Sequence, residues 1–279
     1  MDKEEFTLKE SANYLNIPQK YFYNYVFYSR EMKGKKIGAR WFFKKSELDK
    51  WKKLKDERTI VLTLKEYEEC FELAIKMAYT GTGHHGTGIR GVRSEMQTAD
   101  DWILGILAEY ALQRFLKEKL NQEIKLDTEA HPDRITPQDI EAVLRNKEWV
   151  ESRVKVAVKA SKFKSCYLVV PPLEYENEKR KSDVYIFVRV GLPSDHLFRI
   201  LRDHSFFKNV KEFLEKDDRF RKIEKLENIP IWITGFVEHN DLEKYSEIPG
   251  QVFDGWRYVK SVADLRNSDS DWKEFIEML

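Results

Sequence analysis

Residues 154–190 read VKVAVKASKFKSCYLVVPPLEYENEKRKSDVYIFVRV and contain three apolar segments with the composition of strands. The first, VAVKAS, covers 156–161 and has Lys159 in its middle; the others cover 166–170 and 183–190. β-branched and aromatic residues favour strands, and short apolar runs bounded by polar residues are typical of buried ones. A lysine inside such a strand is costly to bury unless it faces a polar site. The stretch therefore predicts a sheet that carries one functional lysine.

The composition is that of a globular protein. The chain has 279 residues, 42% hydrophobic and 35% charged, enough for one large or two unequal domains with a core. No run approaches the roughly 18 apolar residues of a membrane span, and the N-terminus MDKEEF lacks the apolar region of a signal peptide. Cys70 and Cys166 have a spacing that indicates neither a zinc site nor a disulfide. We expect a reduced, cytoplasmic protein without a membrane segment.

The charge is distributed unevenly along the chain. Residues 1–58 carry 15 Lys and Arg against 9 Asp and Glu, a net of +6, whereas the rest carries 34 against 39, a net of −5. A basic module joined to a mildly acidic body favours a polyanionic partner. Lysine-rich surfaces are also often simply solvated. Charge alone therefore leaves two alternatives for the basic module: it binds nucleic acid, or it is a solvated surface.

The first 30 residues have the pattern of two short helices joined by a tight turn. Thr7 and Glu10 have the spacing of a capping box before an apolar helical face. Pro18 is tolerated in the first turn of the second helix, which the pattern predicts over 19–30. This order predicts a helix-turn-helix unit.

The following residues predict a small hairpin over 34–43, turning at Gly38, and a capped helix over 45–55 that starts near Ser46. The whole stretch FTLKESANYLNIP…KIGARWFFKKSELDKW resembles the winged helix-turn-helix of the MerR and excisionase-like DNA-binding domains over about residues 5–54. The resemblance implies a domain over 1–57 that binds double-stranded DNA. It implies major-groove contacts by Gln19, Lys20, Tyr23 and Asn24, and contacts to phosphates or the minor groove by Lys36 and Arg40. The alternative for the aromatic residues is a core role, which we favour for Phe22 and Trp41.

A glycine-rich segment follows a helix predicted over 64–79. Residues 81–93, GTGHHGTGIRGVR, contain five glycines, so that this loop can approach a backbone or phosphate closely. His84 and His85 cannot form a metal site without a third ligand, and a loop that orders on DNA is the simpler reading. Arg90 and Arg93 are predicted to clamp DNA phosphates.

Glu109 lies in a long helix that is apolar on most sides. The helix is predicted to be capped by Thr98 and to end near residue 120. A lone buried carboxylate must be paired, protonated or bound to a cation. A structural ion pair and association with a metal are therefore the two alternatives for Glu109.

The segment GILAEYAL around Glu109 and the three strands around Lys159 resemble the PD-(D/E)xK nucleases. The resemblance implies an α/β (α+β) fold over residues 58–279, with a restriction-endonuclease-like mixed sheet flanked by helices. It also implies Mg²⁺ as cofactor, because in this family two acids hold one or two Mg²⁺ ions beside the scissile phosphate. The family's lysine stabilises the charge of the transition state or orients the attacking water.

Two acids compete for the first acidic position of that motif. Pro132 and Asp133 match the Pro-Asp pair of the family motif, but the loop continues beyond them. Asp139 instead begins the apolar stretch DIEAVL. Because the acid should lie on a strand beside the lysine strand, Asp139 is favoured. Glu141 is two residues on and would share the face of Asp139. The implied metal ligands are Asp139, Glu109 and Glu141.

Ala157 stands where the family places its second acid, two residues before Lys159. Three explanations remain open. An acid substitutes from a neighbouring position (Glu141, Glu174 or Glu176), the chain carries an inactivating change to alanine, or the domain has lost catalysis naturally. The implied catalytic positions are thus Lys159, Asp139, Ala157 and Glu109.

The two resemblances together imply a Mg²⁺-dependent DNA endonuclease, a type II-like restriction enzyme that hydrolyses phosphodiesters of double-stranded DNA. Since cleavage of both strands needs two active sites, a homodimer is expected. The alternative is a DNA-binding regulator whose nuclease-like body is catalytically dead.

Overall fold

A computed structural model describes residues 4–79, 95–127 and 138–279 of the chain. The helices in these ranges are α1 (Leu8–Tyr14), α2 (Gln19–Phe27), α3 (Lys45–Glu57), α4 (Leu64–Tyr79), α5 (Glu95–Leu120), α6 (Pro172–Tyr175), α7 (His196–Leu201), α8 (Lys208–Glu215) and α9 (Asp269–Met278). The strands are β1 (Glu5–Thr7), β2 (Lys35–Ile37), β3 (Arg40–Lys44), β4 (Thr59–Thr63), β5 (Ile124–Leu126), β6 (Ile140–Arg145), β7 (Glu148–Glu151), β8 (Val156–Lys162), β9 (Tyr167–Val170), β10 (Val184–Val190), β11 (Asn228–Glu238), β12 (Glu243–Ile248) and β13 (Gln251–Ser261). Within this part of the chain, no helix is long and apolar enough to cross a membrane.

The first two helices form as their sequence predicts. The Glu10 carboxylate accepts hydrogen bonds from the Thr7 backbone N–H and hydroxyl, both at 2.9 Å, which confirms the capping box before α1. Helix α2 is shorter than predicted. It ends at Phe27 because Arg30 adopts a left-handed backbone conformation with φ +59°, which an α-helix cannot continue through.

The wing is a three-stranded sheet in the order β1-β3-β2. The predicted hairpin is confirmed, and Gly38 supplies its turn with φ +59°. The helix predicted over 45–55 is confirmed by α3, but its predicted side-chain cap is wrong, because β3 runs directly into α3. The Lys45 N–H instead donates to the Glu4 carbonyl at 2.8 Å. That bond satisfies a backbone donor that a capping side chain would otherwise accept from.

The body is built on a four-stranded mixed sheet in the order β4-β11-β10-β8. β10 runs parallel to β8 and antiparallel to β11. The helix predicted over 64–79 is confirmed by α4, which packs with α5 on one face of this sheet. Helix α5 begins at Glu95, so the predicted cap at Thr98 is wrong. Glu, Met and Gln at 95–97 are good helix formers that extend the helix past a residue able to cap it.

β9 does not belong to the central sheet, contrary to the grouping of the three strands of 154–190. The Ser165 N–H donates to the Lys162 carbonyl at 2.9 Å, and this turn takes the chain out of the plane of β8. β9 then pairs with β13 in a second sheet, ordered β12-β13-β9. Its apolar face packs on the other side of the central sheet, where Leu168 and Tyr185 share one cluster. The sheet to which β9 belongs is therefore determined by its pairing with β13, which is distant in sequence.

A third sheet, β5-β6-β7, lies beside α5. The charged hairpin after DIEAVL joins β6 to β7, and β8 follows only after that strand. Asp139 immediately precedes β6, and its backbone N–H donates to the Val156 carbonyl at 2.8 Å. The residue is therefore held beside the lysine strand.

The N-terminal domain packs directly against the body. Only Arg58 separates α3 from β4. Trp232 of β11 belongs to the same buried cluster as Tyr25 and Trp51 of the N-terminal domain. The Tyr167 hydroxyl donates to the carbonyl of Tyr28 at 2.6 Å. A continuous apolar and hydrogen-bonded interface thus joins α2 to the body.

Candidate active site and DNA-binding surface

Lys159 lies in the middle of β8 with its ammonium paired to a carboxylate. Its Nζ is 2.6 Å from Oε1 of Glu174, and the two side chains are 26% and 19% exposed. Glu174 is positioned by the short helix α6, which Pro171 and Pro172 start immediately after β9. Two segments joined by the β8–β9 turn thus present opposite charges to each other in a partly desolvated place.

Asp139 is anchored to the same strand through its side chain. Its Oδ2 accepts a hydrogen bond from the Val158 backbone N–H at 2.5 Å. Burial raises the pKa of Asp139, while the Lys159 charge and the Val158 hydrogen bond act to lower it. The carboxylate of Glu174 acts in the opposite direction and raises this pKa. Asp139, Lys159 and Glu174 are therefore electrostatic neighbours.

Glu109 approaches this group from α5. Burial raises its pKa well above the ordinary range, and the negative charge of Asp139 adds to the increase. The ammonium of Lys159 opposes the shift, and Asp127 reinforces it. Glu109 therefore lies within electrostatic reach of Asp139 and Lys159, and Lys159 is in turn paired with Glu174.

The donor set suits a hard cation. Burial raises the pKa of both Asp139 and Glu109, and the charge of Asp139 raises that of Glu109 further. Carboxylate oxygens are the ligands that Mg²⁺ prefers in proteins. No group of three or more His, Cys, Asp or Glu arranged to hold a metal is found among residues 4–79, 95–127 and 138–279.

Ala157 is 5% exposed and packs in the apolar cluster with Leu168 and Tyr185. Of the three acids that could replace a carboxylate at this position, Glu174 contacts Lys159. Glu141 is exposed on β6, and its charge is not among the causes that dominate the pKa of Asp139. Glu176 instead accepts a hydrogen bond from the Tyr258 hydroxyl at 2.8 Å.

The residues predicted to contact DNA lie on α2 and the wing. Exposed residues among them are Gln19, Lys20, Tyr23, Lys36 and Arg40. Asn24 is half-buried where α2 meets the body. Phe22 is fully buried and Trp41 half-buried, in agreement with their predicted core role. Arg90 and Arg93, as well as His84, His85 and Asp133, lie outside the described residues.

A cleft of about 550 Å³ connects α2 to Lys159. It is lined by Asn24 and Tyr28 from the N-terminal domain, by Lys159 of β8, and by the turn between β12 and β13. Sequence patterns did not predict this cleft, because its walls come from four separate parts of the chain. A signal was nevertheless present in Lys164, a charged residue in the short connection between two apolar strands.

The sequence patterns also did not predict a buried network of hydrogen bonds around His196. The Tyr67 hydroxyl lies 2.6 Å from Nδ1 of His196, whose Nε2 lies 2.9 Å from Oδ1 of Asp100. Asp100 also pairs with Lys162 of β8 at 3.5 Å. Tyr67 and His196 are almost fully buried, and this network connects α4, α5, α7 and β8. No local pattern marks residues so far apart in sequence.

Comparison with protein-family models matches residues 5–53 to a helix-turn-helix domain family. No curated protein matches the chain. No solved structure matches it either. The match coincides with α1, α2, the wing and most of α3, so the N-terminal segment is a helix-turn-helix domain of the DNA-binding type, joined to a mixed α/β body.

Proposed function

We propose that this protein is a Mg²⁺-dependent DNA endonuclease, of the type II-like restriction class, whose helix-turn-helix domain binds DNA and whose body hydrolyses its phosphodiester bonds. The observation that carries the proposal is the convergence of Lys159 with Glu174, Asp139 and Glu109 beside β8. Perturbed carboxylates gathered around one cation are typical of catalytic sites. The order along the chain also agrees with a restriction-endonuclease-like body: a helix that carries Glu109 comes first, Asp139 follows, and Lys159 comes last.

The residues have distinct roles in this proposal. Lys159 stabilises negative charge that develops on the phosphoryl oxygens, and Glu174 holds its ammonium in place. The Val158 N–H orients the carboxylate of Asp139. Asp139 and Glu109 would hold Mg²⁺, which when bound would supply Lewis acidity and lower the pKa of a coordinated water.

A second candidate function is supported by Ala157. With an alanine packed among apolar side chains, the position two before Lys159 offers no carboxylate. A body without nuclease activity would leave a DNA-binding regulator, in which the charged cluster is structural.

The deciding experiment measures nicking and linearisation of plasmid and phage DNA, modified and unmodified, in the presence of Mg²⁺. Lys159→Ala is expected to lose strand scission by about three or more orders of magnitude, with gel-shift affinity within a few-fold of the parent. Lys162→Ala is the matched control. Lys162 lies on the same strand, three residues after Lys159, so its side chain belongs to the opposite face of the sheet, and it pairs with Asp100. It should cut at a rate close to the parent's.

Two outcomes would decide against cleavage at this site. Near-parent scission by Lys159→Ala would remove the assigned active site. Absence of cleavage by both the parent and Ala157→Glu, on DNA that they bind, would favour the regulator.

For cleavage of both strands, we propose a homodimer. The segment 196–222 has apolar side chains that nothing else in the described chain covers well: Phe198, Phe206 and Phe213 are 55%, 80% and 58% exposed. Exposed apolar patches of this kind are typical of interaction surfaces. Light scattering should give twice the chain mass, and Phe206→Ser with Phe213→Ser should give monomers. A monomeric parent would contradict this part of the proposal.

A further inference from the structure

The cleft between α2 and the body has a cationic lining. Lys159 and Lys164 line it, and none of the described residues that line it is an Asp or Glu. Its volume of about 550 Å³ is that of a small-molecule site. The lining therefore favours an anionic ligand of small-molecule size.

Helix α2 leads from its exposed face into this cleft. Lys20, Asn24 and Tyr28 are spaced by four residues, so they follow one another along one side of the helix. Lys20 is exposed to solvent, whereas Asn24 and Tyr28 line the cleft. DNA that lies along this side of α2 therefore reaches the residues that line the cleft, which Lys159 also lines.

Lys164 is the free cation of the cleft. Lys159 is paired with Glu174, but Lys164 is exposed and has no ion-pair partner within the described part of the chain. A phosphate group would supply the missing negative charge. Its contact with the ammonium would not require breaking an existing ion pair.

The remaining lining suits a nucleobase. The rings of Tyr28 and Tyr167 lie at the cleft, and the hydrogen bond from the Tyr167 hydroxyl to the Tyr28 carbonyl connects the two residues. Asn24 and Gln251, which come from separate parts of the chain and both carry side-chain amides, also line the cleft. Aromatic rings stack on any base, while amides can both donate to and accept from a base edge.

We propose that the cleft receives one nucleotide extruded from the DNA bound by the helix-turn-helix domain. The base lies against Tyr28 and Tyr167, and the phosphate lies beside Lys164. The inference rests on the DNA binding of the proposed function and is independent of its cleavage step. Extrusion costs least when the nucleotide is unpaired, so the site distinguishes duplexes that contain such a position from fully paired ones.

The test compares two duplexes in EDTA that share one strand containing a single 5-iododeoxyuridine, which is paired with deoxyadenosine in the first duplex and left without a partner in the second. We expect the second to bind about tenfold more tightly, because the cost of unstacking and unpairing is reduced. On irradiation it should cross-link to Tyr28 or Tyr167, as identified by mass spectrometry of the peptides.

Matched variants separate the cleft from the rest of the surface. Lys164→Ala and Tyr28→Ala should bring the affinity ratio towards one, whereas Tyr28→Phe should keep it because the ring is retained. Lys222→Ala removes a lysine that lies outside the cleft and pairs with Asp218, and should leave the ratio unchanged. Thermal melting of each variant checks that it is folded.

The outcomes are separable from those of the proposed function. Equal affinity for the two duplexes, or cross-links confined to the wing, would overturn the cleft assignment while DNA binding stands. A tenfold preference without cleavage in Mg²⁺ would support the cleft and count against the nuclease. Absence of binding to either duplex would overturn both.

Discussion

The guanidinium of Arg189, on the central strand β10, forms a two-pronged ion pair with Glu31, which follows α2 in the N-terminal domain. The Nη2–Oε1 and Nη1–Oε2 distances are 2.7 and 3.1 Å, and the Arg189 side chain is fully buried. Tyr25 and Trp232 lie over the same guanidinium at 5.1 and 4.8 Å. A buried charge pair has strict geometry, so it sets the orientation of α2 relative to the body.

Breaking this pair should destabilise the protein strongly. Arg189→Met is expected to lower the free energy of unfolding by about 3–5 kcal/mol, because the carboxylate of Glu31 is left buried and unpaired. The double variant Arg189→Met with Glu31→Gln should lose less than the sum of the single changes. Urea denaturation provides the measurement.

Arg219→Met serves as the control for these variants of the Arg189–Glu31 pair. Arg219 pairs with Asp217 but is 87% exposed, so its loss should cost less than about 1 kcal/mol. Additive effects of the two changes at Arg189 and Glu31 would show that their contact does not couple the domains.

Glu174 and Glu141, two of the acids considered as substitutes for the acid missing at position 157, should differ in importance. Glu174→Gln is expected to reduce Mg²⁺-dependent cleavage by about two or more orders of magnitude, because Glu174 positions the Lys159 ammonium. Glu141→Gln should remain near the parent rate, since Glu141 is exposed on β6. Initial rates of plasmid nicking measure both; the reverse order of effects would move the second acid to Glu141.

DNA affinity should depend on salt through the wing. Lys36→Ala combined with Arg40→Ala is expected to reduce the slope of log affinity against log salt by roughly one to two units, because each removes a phosphate contact. Fluorescence anisotropy over a salt series gives the slope. Lys222→Ala with Arg219→Ala, on the segment 196–222, should leave it unchanged. If the wing variant kept the parent slope, the wing would not contact DNA.

The stability of the protein should fall in mild acid through His239. Burial, followed by the charge of Lys181, lowers the pKa of His239 from its ordinary value of 6.5. The unfolded chain therefore takes up a proton more readily than the native protein. The contribution of His239 is fully present above pH 6.5 and is lost as pH falls through the lower native pKa.

Thermal melting from neutral to mildly acidic pH tests this dependence. His239→Gln should flatten the decline relative to the parent. His204→Gln is the control, because His204 is exposed in the segment 196–222. A decline equally steep in His239→Gln would assign the acid sensitivity to other groups.

Local sequence patterns were sufficient for much of the architecture. The Thr7–Glu10 capping box, the turn at Gly38 and the helix Leu64–Tyr79 depend on residues within a few positions of one another, and each was predicted. The helix-turn-helix domain follows from such patterns, and the family match over residues 5–53 agrees. The predicted caps failed at Ser46, where a backbone contact satisfies the donor instead, and at Thr98, where good helix formers start the helix earlier.

The sheet assignments and the candidate site required tertiary structure. The chain pattern of 154–190 indicates three strands, but β9 leaves the central sheet because its partner, β13, lies about 90 residues further on. Likewise, three acids were equivalent in sequence as substitutes at position 157, and only the packing of α6 places Glu174 beside Lys159. The Arg189–Glu31 pair and the cleft also join distant segments. Hydrophobic periodicity records which face of an element is buried, but not which other element covers it.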